Sequence, residues 1–295
     1  MKILITGRDG QVGWELCRAL RPLGEVSAFD RSALDLAQAD SIRAAVRAVH
    51  PDVIVNAAAY TAVDKAESEP GLARAINAWA PGILAEEAKR CGALLVHYST
   101  DYVFDGRKAG PYVEDDPTNP LSVYGQSKLE GERAIQAVDC RHVILRTAWV
   151  YADRGKNFML TIARLAHERP ELRVVNDQFG APTSAAAIAD ATASIIDALC
   201  NGSGSQGVFH LTAAGRASWF DFAELIVRAS SPPHPIVHPI PASEYPTPAQ
   251  RPGNSCLDNA KLARVFGIRL ADWSVEAQRI LAGLRQAVRP SDQKA

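Results

Sequence analysis

Tyr124 and Lys128 stand four residues apart in the stretch Tyr124-Gly125-Gln126-Ser127-Lys128. On a helix this spacing puts both side chains on one face, one turn apart. A phenol with a pKa of about 10 is a poor acid or base near neutrality. An ammonium beside it favours the phenolate, so the pair reads as a proton-transfer device. An ordinary helix surface carrying a Tyr and a Lys has the same spacing. The pair gains meaning only if a cofactor site precedes it.

Such a site is legible at the start of the chain. Residues 2–6 form a short apolar run suited to a buried strand, and Gly7-Arg8-Asp9-Gly10-Gln11-Val12-Gly13 follows at once. Val12, Leu16, Ala19 and Leu20 then recur at helical spacing. Strand, glycine turn and helix are the context of a phosphate-binding loop. Gly7 permits the tight turn, Gly10 lets a pyrophosphate approach the backbone, and Gly13 lets helix pack on strand. The N–H groups of the helix start, Gln11 and Val12 included, face the phosphates. The spacing is GxxGxxG rather than GxGxxG.

Residues 25–29 read as a second strand ending at Asp30, placed to accept adenosine ribose hydroxyls. Arg31 beside it suits a 2′-phosphate, so both NADH and NADPH are admitted. Asp35 and Leu36 flank the adenine in this reading. Residues 51–56 form a third strand, followed by small residues and a polar edge: Ala58, Ala59, Tyr60 and Thr61. Helical pattern runs from about 66 to 92, broken at Pro70 and Pro81. Residues 93–99 form a fourth strand that delivers Thr100 and Asp101 to the carboxyl edge of a parallel sheet, where open α/β sheets bind ligands. A loop over 105–120 borders the site. The Tyr124 helix and a strand over 142–147 complete a Rossmann-type, doubly wound α/β domain over 1–150.

The remainder, 151–290, is expected to be mainly a smaller, mixed, discontinuous substrate lobe, with 172–215 partly returning to the first domain. Helices are expected at 157–167, 184–199, 219–229, 259–266 and 275–286, and strands at 172–175 and 207–212. The prolines between 232 and 252 argue for an irregular ordered loop and against a helix or a central strand. Residues 290–295 are expected to fray.

The net charge of −1 over 295 residues sets up no global field for nucleic acid or anionic membrane. No run of about 18 apolar residues is present, so no membrane span is expected. Five scattered cysteines without a CxxC pair read as free thiols of a reducing cytoplasm.

The strings YSTDYVFDG (98–106), DDPTNPLSVYGQSK (115–128), LRTAWVY (145–151), DQFGAPTS (177–184) and EYPTPAQRPGNSCLD (244–258) resemble the extended short-chain dehydrogenase/reductase family. Within it they are similar to nucleotide-sugar reductases. The resemblance covers residues 7 to about 258. It implies NAD(P)H-dependent reduction of the C4 ketone of a dTDP-linked 6-deoxyhexulose, NADPH being the expected cofactor and NADH also admitted. It implies a catalytic set of Thr100, Tyr124 and Lys128, with Lys128 also on the nicotinamide ribose. Thr100, Asp101, Tyr124, Trp149, Asn157 and Arg251 are implied on the substrate side. Arg251, Arg154 and Lys156 are the cations available to a diphosphate. Ala152 stands where the family usually has glycine. A homodimer is expected. Some members bridge such dimers through magnesium; Glu15 fits that pattern but Ala186 does not, so no metal site is expected. The competing readings are an epimerase or dehydratase of the same family, and a non-catalytic dinucleotide-binding regulatory subunit.

Overall fold

The structure is a computed structural model and describes residues 1–288; the expected fraying of 290–295 lies outside the described residues. Six parallel strands form the central sheet. Five are β1 (Lys2–Thr6), β2 (Glu25–Phe29), β3 (Val53–Asn56), β4 (Leu94–Thr100) and β5 (His142–Thr147). The sixth is Gly207–His210, and the spatial order is Gly207–His210, β5, β4, β3, β1, β2.

Strict alternation along these strands builds two cores. Ile3, Ile5, Val53, Val55, Leu94, Val96, Val143 and Leu145 face α1 (Gln11–Ala19) and the helix Ala185–Cys200. Leu4, Ile54, Leu95 and Ile144 face the other layer. That layer contains α2 (Ala39–Val49), α3 (Val63–Ala66), α4 (Pro70–Arg74), α5 (Ala80–Cys91) and α6 (Val123–Val138). A parallel sheet covered on both faces needs such near-continuous apolar strands. The substrate-side lobe has its own cluster, including Tyr151, Met159, Leu172, Phe222, Ile226 and Leu281.

Three local features differ from expectation. Pro81 does not break its helix. It lies in the first turn of α5, where a missing N–H costs nothing. The preceding residues, Ala75–Trp79, form a π-helical stretch instead. Within the proline-rich segment, Ile236–Ile240 is a strand paired in parallel with Glu171–Val175. The pair makes a two-stranded sheet, so Pro239 sits on an edge strand, where its missing N–H is tolerated. Glu171–Val175 thus belongs with the substrate-side elements, while Ala185–Cys200 and Gly207–His210 pack with the sheet.

Helix α6 is held to the sheet by an ion pair. Arg146 on β5 donates through Nε (2.9 Å) and NH2 (2.7 Å) to the two carboxylate oxygens of Glu132. Both side chains are at least 95% buried. Removing one partner of a buried pair typically costs about 3–5 kcal/mol. Glu132→Ala is therefore expected to lose that much in equilibrium urea unfolding. A loss below about 1 kcal/mol, the scale of exposed pairs, would show that the pair does not anchor α6.

Candidate active site

A cleft of about 690 Å³ runs along the carboxyl edge of the sheet. Leu34, Asp35 and Leu36 line one part of it, Gly7, Asp9 to Val12 and Ala57 to Ala62 another, and Tyr98, Ser99, Tyr124 and Lys128 a third. The glycine turn is built for close approach. Gly7 has φ +71°, and a Cβ there would come within 2.9 Å of the Ala58 backbone. A Cβ on Gly13 would come 2.0 Å from the Gly7 carbonyl oxygen. Helix α1 starts at Gly10 with no capping side chain and no acidic residue in its first turn. Its first N–H groups are thus open to an anion. These features fit a dinucleotide: a pyrophosphate at the helix start, with room on either side.

At the adenosine end the structure qualifies the reading of Asp30. Its Oδ1 accepts from Ser32 N, Ser32 Oγ and Ala33 N, and Oδ2 pairs with Arg8 NH2 at 2.9 Å. These bonds, led by the Ser32 hydroxyl, hold the carboxyl below its usual range. Arg31 is exposed, its Nε 3.9 Å from Asp35 Oδ1. Arg8, which the sequence reading passed over, neutralises Asp30 and adds a second guanidinium here.

At the other end, Thr100 closes β4. Its hydroxyl donates to Asp101 Oδ1 (2.9 Å) and accepts from Tyr102 N (3.2 Å). Asp101 is buried, and burial pushes its carboxyl up to about 6. Its Oδ2 has no partner among the described residues. Ser122 caps α6 by accepting from Gly125 N, which sets the helix start and with it Tyr124. Tyr124 also lies edge-on to Tyr102.

The expected effect of Lys128 on Tyr124 is not what this structure displays. Burial pushes the Tyr124 phenol up to about 12. Lys128 is turned to the sheet. Its Nζ donates to the Tyr98 carbonyl (2.6 Å) and lies 3.2 Å from His97 Nε2. Burial lowers its pKa to about 8. Behind it runs a row in strand register, Thr6, Asn56 and His97. Thr6 Oγ1 donates to Asn56 Oδ1 (2.7 Å), and Asn56 Nδ2 meets His97 Nδ1 at 3.0 Å. Burial and the Lys128 charge keep the His97 imidazole neutral, its pKa well below the usual value.

Tyr60 is fixed from both sides. Asn77, in the π-helical stretch, accepts from Tyr60 N (2.9 Å) and donates to Tyr60 O (3.0 Å) and Ser127 Oγ (3.1 Å). Thr61, Ala58 and Ala59 line the cleft beside it.

Three residues expected on the substrate side are already engaged. Asn157 caps its helix by accepting from Leu160 N. Its Nδ2 donates to Gln11 Oε1, Ala152 O and Arg154 O. The whole amide is committed to that turn. Arg251 meets both oxygens of Asp64, at 3.1 and 2.9 Å. Trp149 holds a left-handed backbone, φ +49°, unusual for a bulky residue. Its ring stacks on Trp219, centroids 3.5 Å apart and 3° from parallel. Gly180 lies so close that a Cβ would come 2.5 Å from the Trp149 ring. Glu15 bonds to Arg18, which also reaches Asp190. Ala186 borders the same second cleft.

Arg8, Asp64, Asn77, His97 and Trp219 were not found from the sequence. His97 alone had a usable signal, a polar residue inside a strand that is otherwise apolar up to Val96. The partners of the others are set by chain segments far apart.

A family model described as the RmlD substrate binding domain matches residues 1–286. A dTDP-4-dehydrorhamnose reductase of Burkholderia thailandensis is 50% identical over 284 residues, 92% of this chain and 95% of the relative. The crystal structure of a dTDP-4-dehydrorhamnose reductase from Clostridium acetobutylicum superposes with a TM-score of 0.90 at 40% identity, covering 97% of this chain and 100% of that one. The corresponding enzyme of Bacillus anthracis, solved in complex with NADP, gives 0.88 at 34% identity over 96% and 99%. On this match, over nearly its whole length, the chain belongs to the RmlD substrate binding domain family.

Proposed function

We propose that the protein is a dTDP-4-dehydrorhamnose reductase. It uses NADPH to reduce the C4 ketone of dTDP-4-dehydro-L-rhamnose to dTDP-L-rhamnose, the closing step of dTDP-rhamnose supply for polysaccharide synthesis. The observation that carries this reading is a cleft fitted to a dinucleotide that also includes Tyr124 and Lys128 and adjoins Thr100. The relatives carry the substrate. NADPH is further supported by the exposed Arg31 and by Arg8, which offsets the charge of Asp30. The free cysteines support a cytoplasmic site of action, and the resemblance supports a homodimer.

The bound cofactor supplies a hydride to the carbonyl carbon. The residues of the chain handle the proton and the developing charge. Tyr124, whose phenol carries its proton at neutral pH, donates that proton to the carbonyl oxygen. Thr100 gives that oxygen a hydrogen bond by turning its hydroxyl from Asp101. Such donors are commonly the largest catalytic term. Lys128, anchored at Tyr98 O, directs its remaining N–H groups to the nicotinamide ribose. Asp101, which accepts from Thr100, is the carboxyl offered to a sugar hydroxyl. Arg251, already paired with Asp64, is the guanidinium offered to the dTDP diphosphate.

A reductase consumes NADPH in proportion to ketone. An epimerase or dehydratase recycles it, and a regulatory subunit leaves it untouched. Following NADPH absorbance with dTDP-4-dehydro-L-rhamnose decides among the three; no net oxidation overturns the proposal. In that assay Tyr124→Phe is expected to lower kcat by at least about 10²-fold, the scale of a lost oxyanion donor, with NADPH binding retained. Near-normal turnover would remove Tyr124 from the mechanism.

Lys128 generates a pH prediction. Its folded-state pKa is depressed to about 8, so the ammonium is present below that pH and lost above it. The dissociation constant for NADPH is expected to rise as pH passes through about 8, and to be weaker but flat in Lys128→Met. A wild-type constant that stays level from pH 7 to 9, on a scale where one unit of pKa is about 1.4 kcal/mol, would take Lys128 out of cofactor binding.

A further inference from the structure

The turn between Tyr151 and the helix that Asn157 caps crosses to the glycine loop. It is fastened there at two points. Asn157 Nδ2 donates to Gln11 Oε1 at 2.9 Å. The Arg154 guanidinium lies over the Trp14 ring, 3.6 Å from its centroid. Trp14 is 53% exposed on the first helix after the glycine loop.

The guanidinium is held but not satisfied. Its NH1 is buried and has no hydrogen-bond partner among the described residues. A buried charged donor without an acceptor is expensive. The same cleft that has Gly7 and Asp9 to Val12 in its wall has Arg154, Gly155 and Lys156 there too. The chain thus brings open helix N–H groups and a guanidinium with an unfilled donor to one cleft.

From this geometry we propose that Arg154, seated on Trp14, is a clamp for the cofactor pyrophosphate, opposite the glycine loop. The proposal rests on the dinucleotide reading of the cleft. The contacts of this turn decide which anion is held. They go to Gln11 and Trp14, at the start of α1, where a pyrophosphate sits. The adenosine 2′-phosphate belongs near Asp30 and Arg31, and among the side-chain contacts described above the turn makes none there. Trp14 holds the flat guanidinium by a cation–π contact, and Arg suits a phosphate through its fork of donors. Sequence reading had offered Arg154 to the substrate diphosphate; the geometry assigns it to the cofactor.

The test is direct binding, by calorimetry or nucleotide fluorescence, of NADPH, NADH and dTDP to wild type, Arg154→Met and Trp14→Leu. Arg154→Met is expected to weaken NADPH and NADH by the same factor, about tenfold or more, and to leave dTDP unchanged. Trp14→Leu is expected to weaken both dinucleotides about two- to fivefold, as loss of an exposed cation–π contact would. A loss confined to NADPH would assign Arg154 to the 2′-phosphate and overturn the proposal. A loss confined to dTDP would assign it to the substrate and overturn it equally. Unchanged binding of all three would leave Arg154 as a surface contact of Trp14. Wild type that binds dTDP but neither dinucleotide would overturn the cofactor reading itself, and the clamp with it.

Discussion

The site depends on how α6 lies against the sheet, and that is decided by charge. Tyr124, Lys128 and Glu132 follow one another at four-residue intervals, so they share a face. Lys128 and Glu132 are each at least 98% buried. A helix that presents an ammonium and a carboxylate to a sheet is stable only where each finds a partner. Arg146 on β5 supplies one, and the Tyr98 carbonyl on β4 supplies the other. Apolar packing tolerates sliding along the helix axis. A two-pronged guanidinium–carboxylate pair and a 2.6 Å ammonium–carbonyl bond do not. A buried pair is weak evidence for stability. Its value here is register, which puts Tyr124 at the end of β4 beside Thr100.

The polar row behind Lys128 extends the same constraint across the sheet. Thr6, Asn56 and His97 stand in register on β1, β3 and β4 and are joined side chain to side chain, with the Lys128 Nζ 3.2 Å beyond, at His97 Nε2. Thr6 also accepts from Ala58 N at the mouth of the dinucleotide cleft. The cofactor end and the catalytic end are therefore joined through the interior of one sheet face. Asn77 makes a second joint, between Tyr60 and Ser127 on α6. The π-helical stretch that carries Asn77 precedes Pro81, so a local irregularity serves the site. Such stretches are frequent at functional sites.

The substrate side is held to the first domain by a few long-range polar contacts. Asn157 meets Gln11, and Arg251 meets Asp64 across 187 residues of chain. Both were expected to face ligand, and both are engaged within the protein. For Arg251 the consequence is chemical: a diphosphate must compete with a carboxylate already in its fork. For Trp149 it is steric, since Trp219 covers one face of the ring.

The sequence alone determined the architecture, because its signals are local. Near-continuous apolar runs within residues 2–6, 51–56, 93–99 and 142–147 report strands buried on both faces. The glycines at 7, 10 and 13 report a turn that excludes Cβ atoms, and the Tyr124–Lys128 spacing reports a shared helix face. Each of these follows from residues within one or two turns of one another. Only the tertiary structure decided the electrostatics. Only the fold showed that Asp30 already accepts from the Ser32 turn and pairs with Arg8, and that the Lys128 ammonium donates to the Tyr98 carbonyl. The prolines of 232–252 pointed to an irregular loop until the fold gave Ile236–Ile240 an edge to pair on. A hydrogen-bonding group has a fixed number of places, and the partners that fill them come from segments tens to hundreds of residues away, which no local pattern records.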